Sequence, residues 1–143
     1  MLQRERVFQL HILEINGILW YAIIRKEAIV GRVTQEKQII IYADENGIEP
    51  FSVWIHKLKD ISGRKRIFTR IDRLRYGNYG DCEPVGEGVS ELRMHFGPGY
   101  RMYFAEKGSK IIVLLCGGDK GAQKQCITNA KSYWKEYQKN EKL

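Results

Sequence analysis

Ser90-Glu91-Leu92-Arg93-Met94-His95-Phe96-Gly97-Pro98-Gly99-Tyr100-Arg101-Met102-Tyr103-Phe104 consists of two alternating runs joined by Gly-Pro-Gly, and it reads as a β-hairpin. Successive side chains of a strand point to opposite faces, so Leu92, Met94 and Phe96 take one side and Glu91, Arg93 and His95 the other. On the second run Tyr100, Met102 and Phe104 share a side, opposite Arg101 and Tyr103. If the two apolar sides rest on a common core, Arg93, His95, Arg101 and Tyr103 fall together on the opposite face, expected to be open. Cations and aromatics gathered on one sheet surface are the ingredients of an RNA-binding site.

Downstream of the hairpin, Lys110–Cys116 is the most apolar strand, expected deep in the sheet. Gly117-Gly118 then reads as a tight turn and Asp119 as the N-cap of a final helix starting near Lys120. The expected buried positions of that helix are Cys126, Ile127, Ala130, Trp134 and Tyr137. Upstream, Gly80–Gly88 is rich in turn residues and holds a short edge strand. Before it come two helices. The first opens at Pro50 and buries Phe51, Trp54, Ile55 and Leu58 at i, i+3, i+4, i+7. The second is expected to be capped by Ser62, to run to about Arg75 on a stripe of Ile67, Ile71 and Leu74, and to stop at Gly77-Asn78. Lys37–Tyr42 supplies one more buried strand. The order β-α-α-β-β-β-β-α predicts an α+β domain whose largely antiparallel sheet packs against an N-terminal helix pair and a C-terminal helix. Residues 1 to about 36 carry no chemical motif; a small hairpin around Gly17 is one reading of them and a segment without settled structure the other.

The 143 residues are enough for one ordinary domain, and 43% hydrophobic with 29% charged residues is a globular composition. The net charge of +7 favours an acidic partner. It is concentrated: Lys57, Lys59, Arg64, Lys65, Arg66, Arg70, Arg73 and Arg75 stand against only Asp60 and Asp72. Arg66, Arg70 and Arg73 recur at i, i+4, i+7, a cationic helix ridge suited to RNA, although any one of them alone is better read as an ordinary solvated residue.

Several chemistries lack their residues. Cys82, Cys116 and Cys126 have no metal spacing, and the histidines are scattered, so neither a metal nor any cofactor is expected. Reduced thiols and the absence of a convincing signal peptide predict a cytoplasmic protein. The longest clean apolar piece, Gly17–Ile24, is far short of the roughly 20 residues of a membrane span. Gly117–Gly121 lacks the GxxxxGK[ST] phosphate loop, but Lys120 is left at the end of the sheet, where a phosphate contact and a structural role are equally compatible with its position. No Ser/His/Asp or Cys/His arrangement stands out. The remaining chemistry is in-line attack of an RNA 2′-hydroxyl on its own phosphate, helped by positioning and charge neutralisation, for which the planar arginine fork is suited.

The run Pro50-Phe51-x-x-Trp54-Ile55-x-x-Leu58-x-Asp60, then Arg73-Leu74-x-x-Gly77-Asn78-x-Gly80-Asp81, then Pro84–Val89-x-Glu91-Leu92-Arg93, then Gly97–Arg101-x-Tyr103-Phe104, and Leu114–Lys120 closely resembles the phage-derived, HigB-type branch of the RelE/ParE toxin superfamily. These proteins are often labelled addiction-module killer proteins, and the likeness covers about Gln38 to Tyr137. It implies a RelE-like fold and the toxin of a type II toxin-antitoxin system, an mRNA interferase acting on ribosome-bound messages. The alternative it implies is a ParE-like inhibitor of DNA gyrase without nuclease activity, since the fold alone does not choose. It puts weight on Arg101 as the contact to the scissile phosphate, with Arg93 and Lys120 in support. Tyr103 and His95 are proton-transfer candidates from geometry only. Glu91 has two readings, a partner for a neighbouring arginine or a base. The implied partners are a cognate antitoxin of helix-turn-helix or acidic type, mRNA and the ribosome, with no membrane and no small-molecule cofactor. The likeness also marks residues 1–36 as an extension before a toxin domain of 37–143, arising from an upstream start assignment or, alternatively, added for regulation.

Overall fold

The computed structural model describes residues 36–142 and the backbone of two short strands before them. The chain divides into two units, Met1–Val33 and Thr34–Leu143. In the first, β1 (His11–Ile15) pairs antiparallel with β2 (Ile18–Ala22), with Ile15 opposite Ile18. The expected pairing of the strands on either side of residues 16–17 is thus present, while the expected turn between them and the rest of the extension before Glu36 lie outside the described residues.

The second unit runs β3 (Gln38–Ile41), α1 (Pro50–Lys57), α2 (Ile61–Arg75), β4 (Cys82–Gly86), β5 (Val89–Met94), β6 (Tyr100–Lys107), β7 (Ile111–Asp119), a 3-10 turn (Lys120–Ala122) and α3 (Gln123–Glu141). This is the predicted order, and the domain is α+β with three helices. Its five-stranded sheet is ordered β3-β7-β6-β5-β4. Strand β3 lies parallel to β7 and every other pair is antiparallel, so the sheet is mixed.

Pro50 opens α1, where its missing N–H removes a group that would have had no partner. The cap of α2 is Asp60, not the expected Ser62: its carboxylate accepts the Gly63 N–H at 2.8 Å. The second Asp60 oxygen accepts the Tyr100 hydroxyl at 2.9 Å, which ties the helix start to β6 and favours Asp60 over its neighbour. At the other end Gly77, with φ +78°, donates to the Leu74 carbonyl and stops the helix.

The alternation read from the hairpin holds. Leu92, Met94, Tyr100, Met102, Phe104, Ile112 and Leu114 face α1 and α2 and pack on Phe51, Ile55, Ile67, Ile71 and Leu74. The opposite face is not open as expected. Val89, Tyr103, Ala105, Val113, Leu115 and Cys116 pack there against Ala130 and Trp134 of α3. Of the expected α3 core, Cys126, Ile127 and Tyr137 are partly buried at its margin.

Strand β7 also runs further than the sequence suggests. Tyr103 pairs with Cys116 but Phe104 pairs with Leu114, so Leu115 is an extra residue and both Leu115 and Cys116 turn toward α3. Gly117 and Gly118 are strand residues, not a tight turn. A Cβ on Gly117 would lie 2.3 Å from the Trp54 ring, and one on Gly118 would lie 2.7 Å from Cys126 Sγ. The glycines are there because an aromatic ring on one face and α3 on the other need the space.

Candidate functional site

The side of β5 and β6 turned toward α3 carries Glu91, Arg93, Arg101 and Tyr103, with Arg93 directly across from Arg101 and Glu91 across from Tyr103. Glu91 is the hub. It is 1% exposed, and its carboxylate accepts the Tyr103 hydroxyl at 2.8 Å, the Gln123 amide at 2.9 Å and Arg93 Nε at 3.1 Å. A buried carboxylate is tolerated only when its charge and lone pairs are met in this way.

Arg101 stands differently. Its side chain is only 9% exposed, yet its nearest carboxylate oxygen, on Glu91, is 3.9 Å from Nε. Both Nε and Nη1 are buried with no hydrogen-bond partner. Charge is balanced, but hydrogen bonding is not. Buried donors left unused are costly, and an acceptor oxygen brought to either nitrogen would offset that cost.

Arg93 is fully engaged. Besides Glu91 it bonds Glu83 and lies 3.8 Å from Asp81. Tyr103 is completely buried, and burial followed by the bond to Glu91 pushes its phenol well above the usual tyrosine range. Its hydroxyl is therefore committed to positioning Glu91. His95 is exposed at the hairpin edge and bonds Asp81, and that bond holds the Asp81 carboxyl below its usual range. Lys120 is exposed in the 3-10 turn, its Cβ beside Gly99 of the hairpin turn. Since Arg101 pairs with Gly118, Lys120 lies at the same end of the sheet.

The predicted helix ridge belongs to the other layer. Arg66 lies over the Phe96 ring at 5.0 Å, Arg70 donates to the Tyr79 carbonyl at 3.1 Å, and Arg73 is exposed. Seven of the eight predicted residues therefore form two groups. Arg93, Arg101 and Tyr103 share the face toward α3 with Lys120 at its end, while Arg66, Arg70 and Arg73 flank α2 on the opposite side. His95 stands at the edge between them. Gln123 was not singled out by sequence reasoning; its only signal is its place at the start of the last helix, where a buried strand carboxylate can find a donor.

Among the described residues no group of three or more His, Cys, Asp or Glu is placed to hold a metal ion. All three cysteines are free, and burial pushes the Cys116 thiol up to about 12. No described helix is long and apolar enough to cross a membrane.

Fold and site together define an α+β domain with a buried arginine held beside a buried glutamate under the first turn of its last helix. No family model matches the chain. Over 81 residues it is 43% identical to an uncharacterized protein of Haemophilus influenzae, a match spanning 57% of this chain and 82% of that protein, and the chain belongs to the same family as that protein.

Proposed function

We propose that the chain is the toxin of a type II toxin-antitoxin system, a RelE/HigB-type mRNA interferase that acts in the cytoplasm on ribosome-bound messages. The observation that supports it most is the pair of unused N–H groups on buried Arg101. In the proposed reaction the 2′-hydroxyl of the message attacks the adjacent phosphorus in line. The 2′-oxygen–phosphorus bond forms, the bond to the 5′-oxygen breaks, and the products are a 2′,3′-cyclic phosphate and a 5′-hydroxyl. The 2′ proton leaves and the departing 5′-oxygen gains one. Arg101 takes two non-bridging phosphate oxygens and neutralises charge as it grows on the phosphorane. Glu91, already accepting from three donors, fixes Arg101 electrostatically instead of taking the 2′ proton. Lys120 supplies a second cation at the end of the sheet. A cognate antitoxin of helix-turn-helix or acidic type is the partner that restrains it.

The second reading, a ParE-like gyrase inhibitor, draws support from one observation: the Tyr103 hydroxyl is bonded to Glu91, so the face lacks a surface proton-transfer tyrosine. The purified chain, added to ribosomes programmed with a defined message, separates the two. Fragments ending in a 2′,3′-cyclic phosphate, abolished by a 2′-deoxy nucleotide at the cut, support the nuclease. Intact message together with linear DNA accumulating in a gyrase reaction supports the inhibitor.

A further inference from the structure

Among the described residues outside α2, Lys37, Arg93, Lys107 and Lys135 each meet a carboxylate, while Lys110, Lys120, Lys124, Lys131 and Lys139 form no ion pair. On α2, among the described residues, Arg75 alone is in an ion pair, with Glu36. Lys65, Arg66 and Arg73 are exposed and form none. They lie away from the buried stripe of Ile67, Ile71 and Leu74, and a rise of about 1.5 Å per residue spreads them along roughly 12 Å of helix. Arg70 has another task, since it bonds the Tyr79 carbonyl and fills the space above Gly80.

The ridge ends on an aromatic row. Trp54 meets Tyr100 edge-on at 6.2 Å, Tyr100 meets Phe96 at 5.6 Å, and the Arg66 guanidinium covers the Phe96 ring. The carboxylate nearest to this end, Asp60, is occupied by the Gly63 N–H and the Tyr100 hydroxyl. Its electrostatic influence reaches Arg66 without an ion pair. An exposed guanidinium held 5.0 Å from the centre of an aromatic ring offers a cation and a ring beside which a base can stack.

We propose that the outer flank of α2 and the tip of the β5–β6 hairpin form a second binding surface, for single-stranded RNA, separate from Arg101. Lys65 and Arg73 hold phosphates and a base stacks on Arg66. The uncompensated charge suits any polyanion; the guanidinium and aromatic ring side by side, against which a base can stack, favour nucleic acid over an acidic protein. The inference rests on the reading of an RNA substrate but is measured without cleavage, so either can fail alone.

The test uses the full chain and a short, labelled, fully 2′-O-methyl oligouridylate, which cannot undergo 2′-hydroxyl attack, with binding followed by fluorescence anisotropy over a range of salt. Combining Lys65→Gln, Arg66→Gln and Arg73→Gln should weaken binding at least ~10-fold and reduce the slope of log affinity against log salt by about 1.4, two phosphates' worth. Arg66→Lys should keep the slope while weakening binding severalfold, because charge survives and stacking does not. Arg101→Ala should bind within ~3-fold of wild type, since phosphate contacts on the ridge carry most of the salt-dependent affinity. A triple variant that keeps its circular-dichroism spectrum and the wild-type slope would overturn the proposal. So would loss of binding in Arg101→Ala, or polyglutamate competing as well as unlabelled oligonucleotide at equal charge.

Discussion

Arg101 and Glu91 have opposite standing in the same buried cluster. Glu91 has three donors, whereas Arg101 has two buried N–H groups without acceptors. Removing each should therefore act in opposite directions on stability. Glu91→Leu leaves Arg93 and Arg101 facing an apolar side chain and should cost about 3–5 kcal/mol in urea unfolding. Arg101→Met removes the unused donors and should leave stability unchanged or raise it by about 1–3 kcal/mol, while abolishing activity. A comparable loss of stability in Arg101→Met would make that arginine a structural residue. Period-2 alternation in the sequence was enough to put Arg93, Arg101 and Tyr103 on one face. It could not say what covers that face, because alternation fixes the side of a side chain and not the neighbour above it. Hence Tyr103 reads as a surface group in the sequence and is buried beneath α3 in the fold.

Helix α2 and strand β7 are the elements whose ends depend on partners far away in sequence. Asp60 caps α2, and the Gly63 N–H, then the Tyr100 hydroxyl, hold its carboxyl below the ordinary range. A depressed folded-state value means the unfolded chain binds more protons in acid. The Asp60 contribution is therefore complete above the unfolded carboxyl value, about 3.9, and is lost as pH falls through the folded one. Asp60→Asn, which still caps, should flatten the acid limb of a thermal-unfolding profile; an unchanged limb would remove Asp60 from that account. On β7, Gly117→Ala drives a Cβ into the Trp54 ring and should cost about 1–3 kcal/mol by denaturant unfolding. The apolar core of β7 was legible from Lys110–Cys116. Its continuation through Gly117 and Gly118 was not, because glycine signals a turn locally and the Trp54 and Cys126 contacts that require it are long-range.

At the scale of the whole domain, one sheet separates two layers: α1 and α2 with the cationic ridge on one side, α3 with the Arg101–Glu91 cluster on the other. Element order was readable from periodicity and turn residues. The parallel pairing of β3 with β7 was not, since it joins Gln38–Ile41 to Ile111–Leu114 and no local pattern records such a pairing. Among the described residues, Arg75 is the one α2 cation in an ion pair, while Arg93 and Lys107 of the sheet and Lys135 of α3 each meet a carboxylate. The proposed activity depends on the second layer, and Arg101 is the residue on which it stands. The most direct measurement is to induce the chain in cells without an antitoxin and map mRNA 5′ ends and DNA breaks together, for wild type and Arg101→Met. The account predicts codon-phased mRNA cuts in wild type, none in a stably folded Arg101→Met, and no DNA breaks in either. Gyrase-dependent DNA breaks with intact messages would contradict it.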